Sequence, residues 1–101
     1  MILARVEGSL VATKKNEKIT GRKLLMVRPL LIDSPEAAEL RQGASTLVVV
    51  DELGAGDGEY VVIVQGSSAR LGMKDKDAPV DAVVVGIVDS VDLGKRVLYK
   101  K

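Results

Sequence analysis

The chain has no histidine, cysteine, tryptophan or phenylalanine, and its only aromatic residues are Tyr60 and Tyr99. Without histidine or cysteine it cannot form a Ser-His-Asp triad, a thiolate nucleophile or an ordinary zinc site. Two tyrosines are too few for the aromatic platform on which single-stranded nucleic acids stack. The lack of cysteine also means that the fold needs no disulfide framework. These absences exclude most nucleophilic and zinc-dependent enzymes.

The chain also has almost no excess of positive or negative charge, because its 101 residues include 15 lysines and arginines and 14 acidic residues. The net charge of +1 provides no basic footprint for nucleic acid. The longest uncharged apolar run, Ala82 to Val88, is far shorter than the roughly 20 residues of a membrane-spanning helix. Arg5 and Glu7 interrupt the segment where a signal peptide would need its apolar core. We therefore expect one soluble cytoplasmic domain over residues 1–101, with no membrane partner.

Apolar periodicity predicts an all-β fold with two short helices. Strands are expected at about 2–13, 23–28, 46–51, 59–65 and 82–88, with a last one at 97–99. Gly8 suits a bend in the first strand, and Pro29 is expected to end the second. Ser34 as N-cap, Pro35 in the first turn and Gly43 beyond the end predict a helix over residues 36–42. A single helical turn is expected at residues 67–72.

Four of the strands contain a stretch in which every residue is apolar, so that apolar and polar residues do not alternate there. These stretches are residues 24–27, 47–50, 61–64 and 83–85. Successive strand residues point to opposite faces, so both faces of these strands need cover. One face can fill a barrel, but the chain has too little helix to cover the other. We therefore expect a second copy of the chain to supply that cover in an obligate oligomer; the alternative is a monomer with an unusually apolar surface.

The most conspicuous motif is the loop Gly54-Ala55-Gly56-Asp57-Gly58. It departs from the dinucleotide-binding pattern G-x-G-x-x-G because Glu59 and a strand follow it, and the chain has no G-K-[ST] phosphate loop. We interpret it as a tight loop whose glycines permit positive φ. Such a loop can still be functional where several copies meet around an axis.

The charged residues offer weaker signals. Acidic residues lie close together in sequence in three places, and the segment with Asp75 and Asp77 lacks the residues of a calcium-binding loop. We interpret all three groups as solvated charges or interface ion pairs. The groups are Asp51, Glu52 and Glu59; Asp75, Asp77 and Asp81; and Asp89 and Asp92. The segment Gly66-Ser67-Ser68-Ala69-Arg70 has two interpretations. It either binds an anion or forms a strand-to-helix corner in which Arg70 pairs with a carboxylate.

Taken in order, five blocks of the sequence resemble the EutN/CcmL family, the pentameric vertex proteins of bacterial microcompartment shells. The resemblance spans nearly the whole chain, although residues 33–45 are longer and more charged than the variable loop of that family. The blocks are Thr13-Lys14 with Thr20-Gly21-x-Lys23-Leu24-Leu25-x-Val27, Val50-Asp51-x-x-Gly54-Ala55-Gly56-x-Gly58-Glu59, Gly66-Ser67-Ser68-Ala69-Arg70, Pro79-Val80-Asp81-Ala82 and Val85-Gly86-Ile87-Val88-Asp89.

The resemblance implies a small five-stranded OB-like barrel assembled into a closed ring of five. Such rings cap the five-fold vertices of a polyhedral shell of hexameric proteins in the bacterial cytoplasm, turn over no substrate and need no cofactor or metal. The alternative is an OB-fold nucleic-acid-binding module, which the near-neutral charge and few aromatics disfavour.

Two sets of site residues follow for a ring. The expected subunit interface contains the continuously apolar strand and the proposed partners of Arg70, namely Val61, Val62, Ile63, Val64, Arg70, Asp51 and Asp81. The expected five-fold axis contains the glycine loop and the two serines, namely Gly54, Ala55, Gly56, Ser67 and Ser68. No catalytic residue is expected.

Overall fold

The computed structural model describes residues 1–12, 17, 21–66, 69 and 81–101. Its strands are β1 (Ile2–Leu10), β2 (Lys23–Leu31), β3 (Arg41–Gln42), β4 (Leu47–Asp51), β5 (Tyr60–Gln65), β6 (Ala82–Ile87), β7 (Ser90–Leu93) and β8 (Arg96–Lys100). The main sheet has the order β1-β5-β6-β4-β2-β3, and β1 also pairs with β2. This last pairing closes β1, β5, β6, β4 and β2 into a barrel, which confirms the predicted all-β fold and five-stranded barrel.

The barrel interior is filled by one face of each strand, as expected for a barrel of this size. Alternate residues of the strands point inward and are almost completely buried. The interior comprises Ala4, Val6, Leu25, Val27, Val49, Ala55, Val61, Ile63, Ala82 and Val84. Ala55 belongs to the loop after β4, and its buried side chain makes this loop part of the core.

The chain bends at Gly8, as predicted. The register of the β1–β2 ladder shifts between Val6 and Gly8, which marks a β-bulge. The prediction that Pro29 ends the second strand is wrong, because β2 continues to Leu31 and Pro29 lies opposite Ala4. Proline lacks only the donor, and its carbonyl still accepts a hydrogen bond from the Gly43 amide at 2.8 Å.

The helix predicted over residues 36–42 is also wrong. Residues 35 and 36 form a turn in which the Ala37 amide donates to the Ser34 carbonyl at 3.1 Å. Beyond it, Arg41–Gln42 forms β3, which pairs with Leu30 and Leu31. A helix of two turns has little stability of its own, so pairing with the free end of β2 prevails over the local capping signals. The helical turn predicted at 67–72 lies outside the described residues except for Ala69.

The two last strands, β7 and β8, form a separate antiparallel hairpin, of which the sequence predicted only the second strand. Among the residues that the structure describes, none forms a helix with the length and hydropathy needed to span a membrane.

Candidate functional site

The glycine loop is built around the carboxylate of Asp51, the last residue of β4. The residue is only 3% exposed, and its oxygens accept hydrogen bonds from three successive backbone amides. The donor–acceptor distances are 2.8 Å from Leu53, 3.2 Å from Gly54 and 2.7 Å from Ala55. An aspartate that binds amides two to four residues ahead organises a tight turn. Asp51 therefore has a role inside its own chain, and its predicted contact with Arg70 stays a prediction because Arg70 lies outside the described residues.

Two further side chains hold the loop from other elements. The Lys23 ammonium at the start of β2 donates to the Ala55 carbonyl at 2.7 Å, and Glu59 Oε1 accepts from the Gly56 amide at 2.6 Å. The Ala55 methyl group is fully buried in the barrel core. The loop is thus fixed through its backbone, and its predicted placement at a five-fold axis stays a prediction.

The glycines of the loop have different roles. Gly54 and Gly58 have φ values of +88° and +81°, in the region that favours glycine, but Gly56 does not. The expectation of a positive φ at Gly56 is therefore wrong. A Cβ atom there would lie 3.3 Å from Glu59 Oε1, so a side chain at this position would push the Glu59 carboxylate away from the Gly56 amide by a few tenths of an ångström.

Glu59 also connects the loop to the C-terminal hairpin. Its carboxylate forms an ion pair with Lys101, and the Tyr60 and Tyr99 rings stack with their centroids 3.8 Å apart. The hydrogen bond from Lys101, together with that from the Gly56 amide, lowers the pKa of Glu59, and the same carboxylate raises the pKa of Lys101. We call these four residues (Glu59, Tyr60, Tyr99 and Lys101) the hairpin clasp.

The other end of the hairpin is attached to the segment that replaces the predicted helix. The Arg96 guanidinium donates to the carbonyls of Pro35 and Glu36 at 2.6 and 2.8 Å. Neither this contact nor the clasp was predicted from the sequence. The sequence does place both of its aromatic residues next to charged residues near strand ends, Tyr60 at the start of β5 and Tyr99 near the end of β8. That placement does not reveal that the two rings stack on each other.

The predicted interface strand, residues 61–64, divides between the two faces of the barrel wall. Val61 and Ile63 are fully buried in the interior, whereas Val62 and Val64 point outward and are half-buried. Only the outward pair is available to another chain, so Val61 and Ile63 contribute to the barrel and not to a contact surface.

Part of the outer face is covered by the chain itself. Val50 and Val83 pack with Ala69, and Leu24 and Val64 lie against the same cluster. This corrects the expectation that only a second copy could cover the outer faces of these strands. Uncovered apolar side chains remain beside this cluster: Val48 is 51% exposed and Val85 is 39% exposed.

Of the remaining predicted site residues, only Asp81 lies in the part of the chain that the structure describes. Asp81 is exposed and its carbonyl accepts a hydrogen bond from the Gly66 amide at 2.8 Å. Arg70, Ser67 and Ser68 lie outside the described residues, so their assignment to the interface or axis stays a prediction. Within the described ranges, no three histidine, cysteine, aspartate or glutamate residues form a group that could hold a metal ion.

Comparison with known proteins places this barrel in a family. The sequence model described as "Ethanolamine utilisation protein EutN/carboxysome" matches residues 1–89. The shell vertex protein GrpN of Rhodospirillum rubrum is 46% identical over 91% of this chain and 97% of its own length. The shell vertex protein EutN of Escherichia coli K12 is 44% identical over the full length of both chains.

Solved structures agree with the sequence comparisons. A structure of an ethanolamine utilization protein, EutN, superposes with a TM-score of 0.86 at 39% identity, covering 100% of this chain and 99% of the other. The structure titled "GrpN pentameric microcompartment shell protein" from R. rubrum gives a TM-score of 0.76 at 46% identity, covering 91% of this chain and 98% of the other. The resemblance seen in the sequence is thus confirmed, and the chain belongs to the EutN/CcmL family.

Proposed function

We propose that five copies of this chain form a closed ring that occupies the five-fold vertices of a bacterial microcompartment shell. The observation that carries the proposal is the barrel itself, which matches a relative described as a pentameric shell protein along nearly the whole of both chains. The curated relatives GrpN and EutN are named as shell vertex proteins. Uncovered apolar side chains on the outer barrel wall supply surfaces that neighbouring copies would bury.

The mechanism is geometric and involves no reaction. A flat layer of hexameric proteins cannot close on itself, and a five-membered ring inserted into the layer introduces the curvature that a polyhedron needs. The ring contact is heterologous, which means that two different surfaces of each copy meet, and it must close after five copies to avoid an open filament. The proposed partners are therefore other copies of this chain and hexameric shell proteins, and no cofactor is required.

Shell closure tests this proposal. The chain would be produced as the only vertex protein together with hexameric shell proteins and viewed by electron microscopy. Closed polyhedra are expected with the chain, and open tubes or sheets without it. Open assemblies that persist when the chain is present in excess would contradict the proposal.

A further inference from the structure

The C-terminal hairpin of β7 and β8 is built as a unit separate from the barrel. Among the described strands, its two strands pair only with each other, and neither buried core cluster includes a hairpin residue. Its apolar residues Val91, Leu93 and Leu98 are only partly buried, and Val97 is 61% exposed. An element with few buried apolar contacts opens locally at a lower free energy than the core beside it. Apolar packing therefore does little to hold the hairpin closed.

A junction of two residues joins the hairpin to the barrel. The Val88 amide donates to the Tyr60 carbonyl at 2.8 Å and so continues the β5–β6 ladder. The Lys101 amide donates to the Asp89 carbonyl at 2.8 Å and so continues the β7–β8 ladder. A change of backbone dihedral angles between Val88 and Asp89 can therefore move the hairpin without breaking a ladder bond of the barrel.

Contacts outside the ladders hold the hairpin at both of its ends. The hairpin clasp lies next to the junction. At the other end, just after the turn at Gly94, the Arg96 guanidinium donates to the carbonyls of Pro35 and Glu36 at 2.6 and 2.8 Å. We call this second contact the Arg96 latch. The latch and the ion pair of the clasp lie at the surface, where each such contact contributes little on its own.

Glu59 connects the hairpin to the glycine loop through one side chain. Its Oε1 accepts a hydrogen bond from the Gly56 amide at 2.6 Å, and its Oε2 contacts the Lys101 ammonium. Both oxygens belong to one planar carboxylate, so the contact with the lysine fixes the orientation in which the carboxylate binds the loop. Movement of the hairpin away from the barrel removes this constraint.

We propose that the C-terminal hairpin is a strap that opens as one unit about residues 88–89 while the barrel stays folded, and that its closure holds the glycine loop through Glu59. The strap opens when the clasp and the Arg96 latch are both broken. The buried barrel core is unaffected, because it contains no side chain of the hairpin. All the contacts that carry this inference lie within one chain, so it does not depend on the proposed ring.

Hydrogen exchange of single backbone amides in the natural protein, followed by nuclear magnetic resonance, tests the strap. After correction for the intrinsic exchange rates, the hydrogen-bonded amides of β7 and β8 should exchange at least about a hundredfold faster than those of β5, and they should share one opening equilibrium. Hairpin amides that are protected as strongly as those of β5 would overturn the proposal, because the hairpin would then open only with the barrel.

Two variants release the strap from opposite ends. Lys101→Met removes the ion pair at the junction, and Arg96→Met removes the latch. Each should raise the exchange rates by about two- to fivefold along the whole hairpin, because the hairpin opens as one unit. Lys100→Met and Lys95→Met are the matched controls, since both residues are exposed lysines of the same hairpin, and their rates should stay at the natural values. A variant that raises the rates only at its own end would contradict opening as one unit.

The Gly56 amide reports whether the strap holds the glycine loop. Arg96 binds at the far end of the strap, so Arg96→Met should raise the exchange rate of Gly56 only by opening the strap and releasing Glu59. We expect the Gly56 rate to rise by the same factor as the hairpin rates, while the Ala55 amide, which is held by Asp51, stays unchanged. An unchanged Gly56 rate would show that the strap does not hold the loop. Pentamer formation is measured separately, and its failure would contradict the proposed function and not the strap.

Discussion

Asp51 shows how much of the loop after β4 depends on one side chain. Its carboxylate is buried and holds three backbone amides, so Asp51→Ala would leave those donors without their acceptor. We expect the free energy of unfolding to fall by about 3 kcal/mol, the cost of losing charge-assisted bonds in a buried place. Asp51→Asn keeps one acceptor oxygen and should lose less. Urea unfolding at a fixed protein concentration measures both variants, and an Asp51→Ala protein as stable as the natural one would contradict this role.

Gly56 and Asp57 are neighbours with opposite expected sensitivities. Gly56→Val places a branched side chain about where the Glu59 carboxylate approaches, 3.3 Å from the Cβ position, and should cost about 1–3 kcal/mol of stability through crowding. Asp57 is exposed at the turn, so Asp57→Ala should leave stability unchanged. Thermal unfolding of the pair is the measurement. Equal midpoints for the two variants would show that the loop does not depend on this close approach.

At the scale of elements, the hairpin clasp should respond to acid. The Lys101 contact lowers the pKa of Glu59, so its stabilisation is complete above the ordinary glutamate value of 4.5 and is lost as the pH falls through the lowered pKa. Lys101 has a raised pKa, so its side of the pair stays charged below the ordinary lysine value of 10.5. We therefore expect the near-ultraviolet circular dichroism of the Tyr60–Tyr99 stack to stay constant from neutral pH down to 4.5 and to change only below it.

Lys101→Met is the control for this titration, because it removes the ammonium and retains a flexible side chain. The variant should lose the transition below pH 4.5 or move it toward the ordinary value of glutamate. A natural protein whose tyrosine signal changes above pH 4.5, or a variant with an identical acid transition, would show that the clasp does not hold the hairpin.

The two faces of β5 should respond differently to a charged side chain. Val61→Lys places an ammonium in the barrel interior, where an unpaired charge costs several kcal/mol, and should unfold the chain. Val62→Lys points outward and should leave the barrel folded but separate the ring into single chains. Circular dichroism reports folding and analytical ultracentrifugation reports assembly. A Val62→Lys protein that remains a full-size ring would remove this strand from the subunit contact.

Short apolar stretches between turn signals predicted the barrel strands well, because every strand buries at least one face in the common core. The prediction failed at residues 36–42, where local helix signals compete with a ladder to β2 that the local sequence does not reveal. The role of Asp51 in the turn could have been predicted from the sequence, because an aspartate followed by turn glycines is a local signal. The hairpin clasp could not have been predicted, because it joins Glu59 to Lys101 across 42 positions of sequence and depends on how the hairpin folds back.

At the scale of the whole molecule, the outer wall of the barrel separates surfaces that the chain covers itself from surfaces left for neighbours. Ala69 covers Val50 and Val83, whereas Val48 and Val85 stay exposed. A wall that was covered throughout would favour a monomer. The uncovered apolar residues on two sides of the covered cluster instead favour a head-to-tail ring, in which each copy uses one surface toward each neighbour.

Native mass spectrometry of the purified chain at micromolar concentration measures whether assembly closes at five copies. We expect one dominant species with five times the 10.7 kDa mass of the single chain, and no ladder of larger assemblies. Dilution should convert this species to single chains without long-lived intermediates, because a closed ring loses two contacts when one copy leaves. A spectrum dominated by monomers or dimers at that concentration, or an open series without a maximum at five, would show that the chain does not form a closed ring of five.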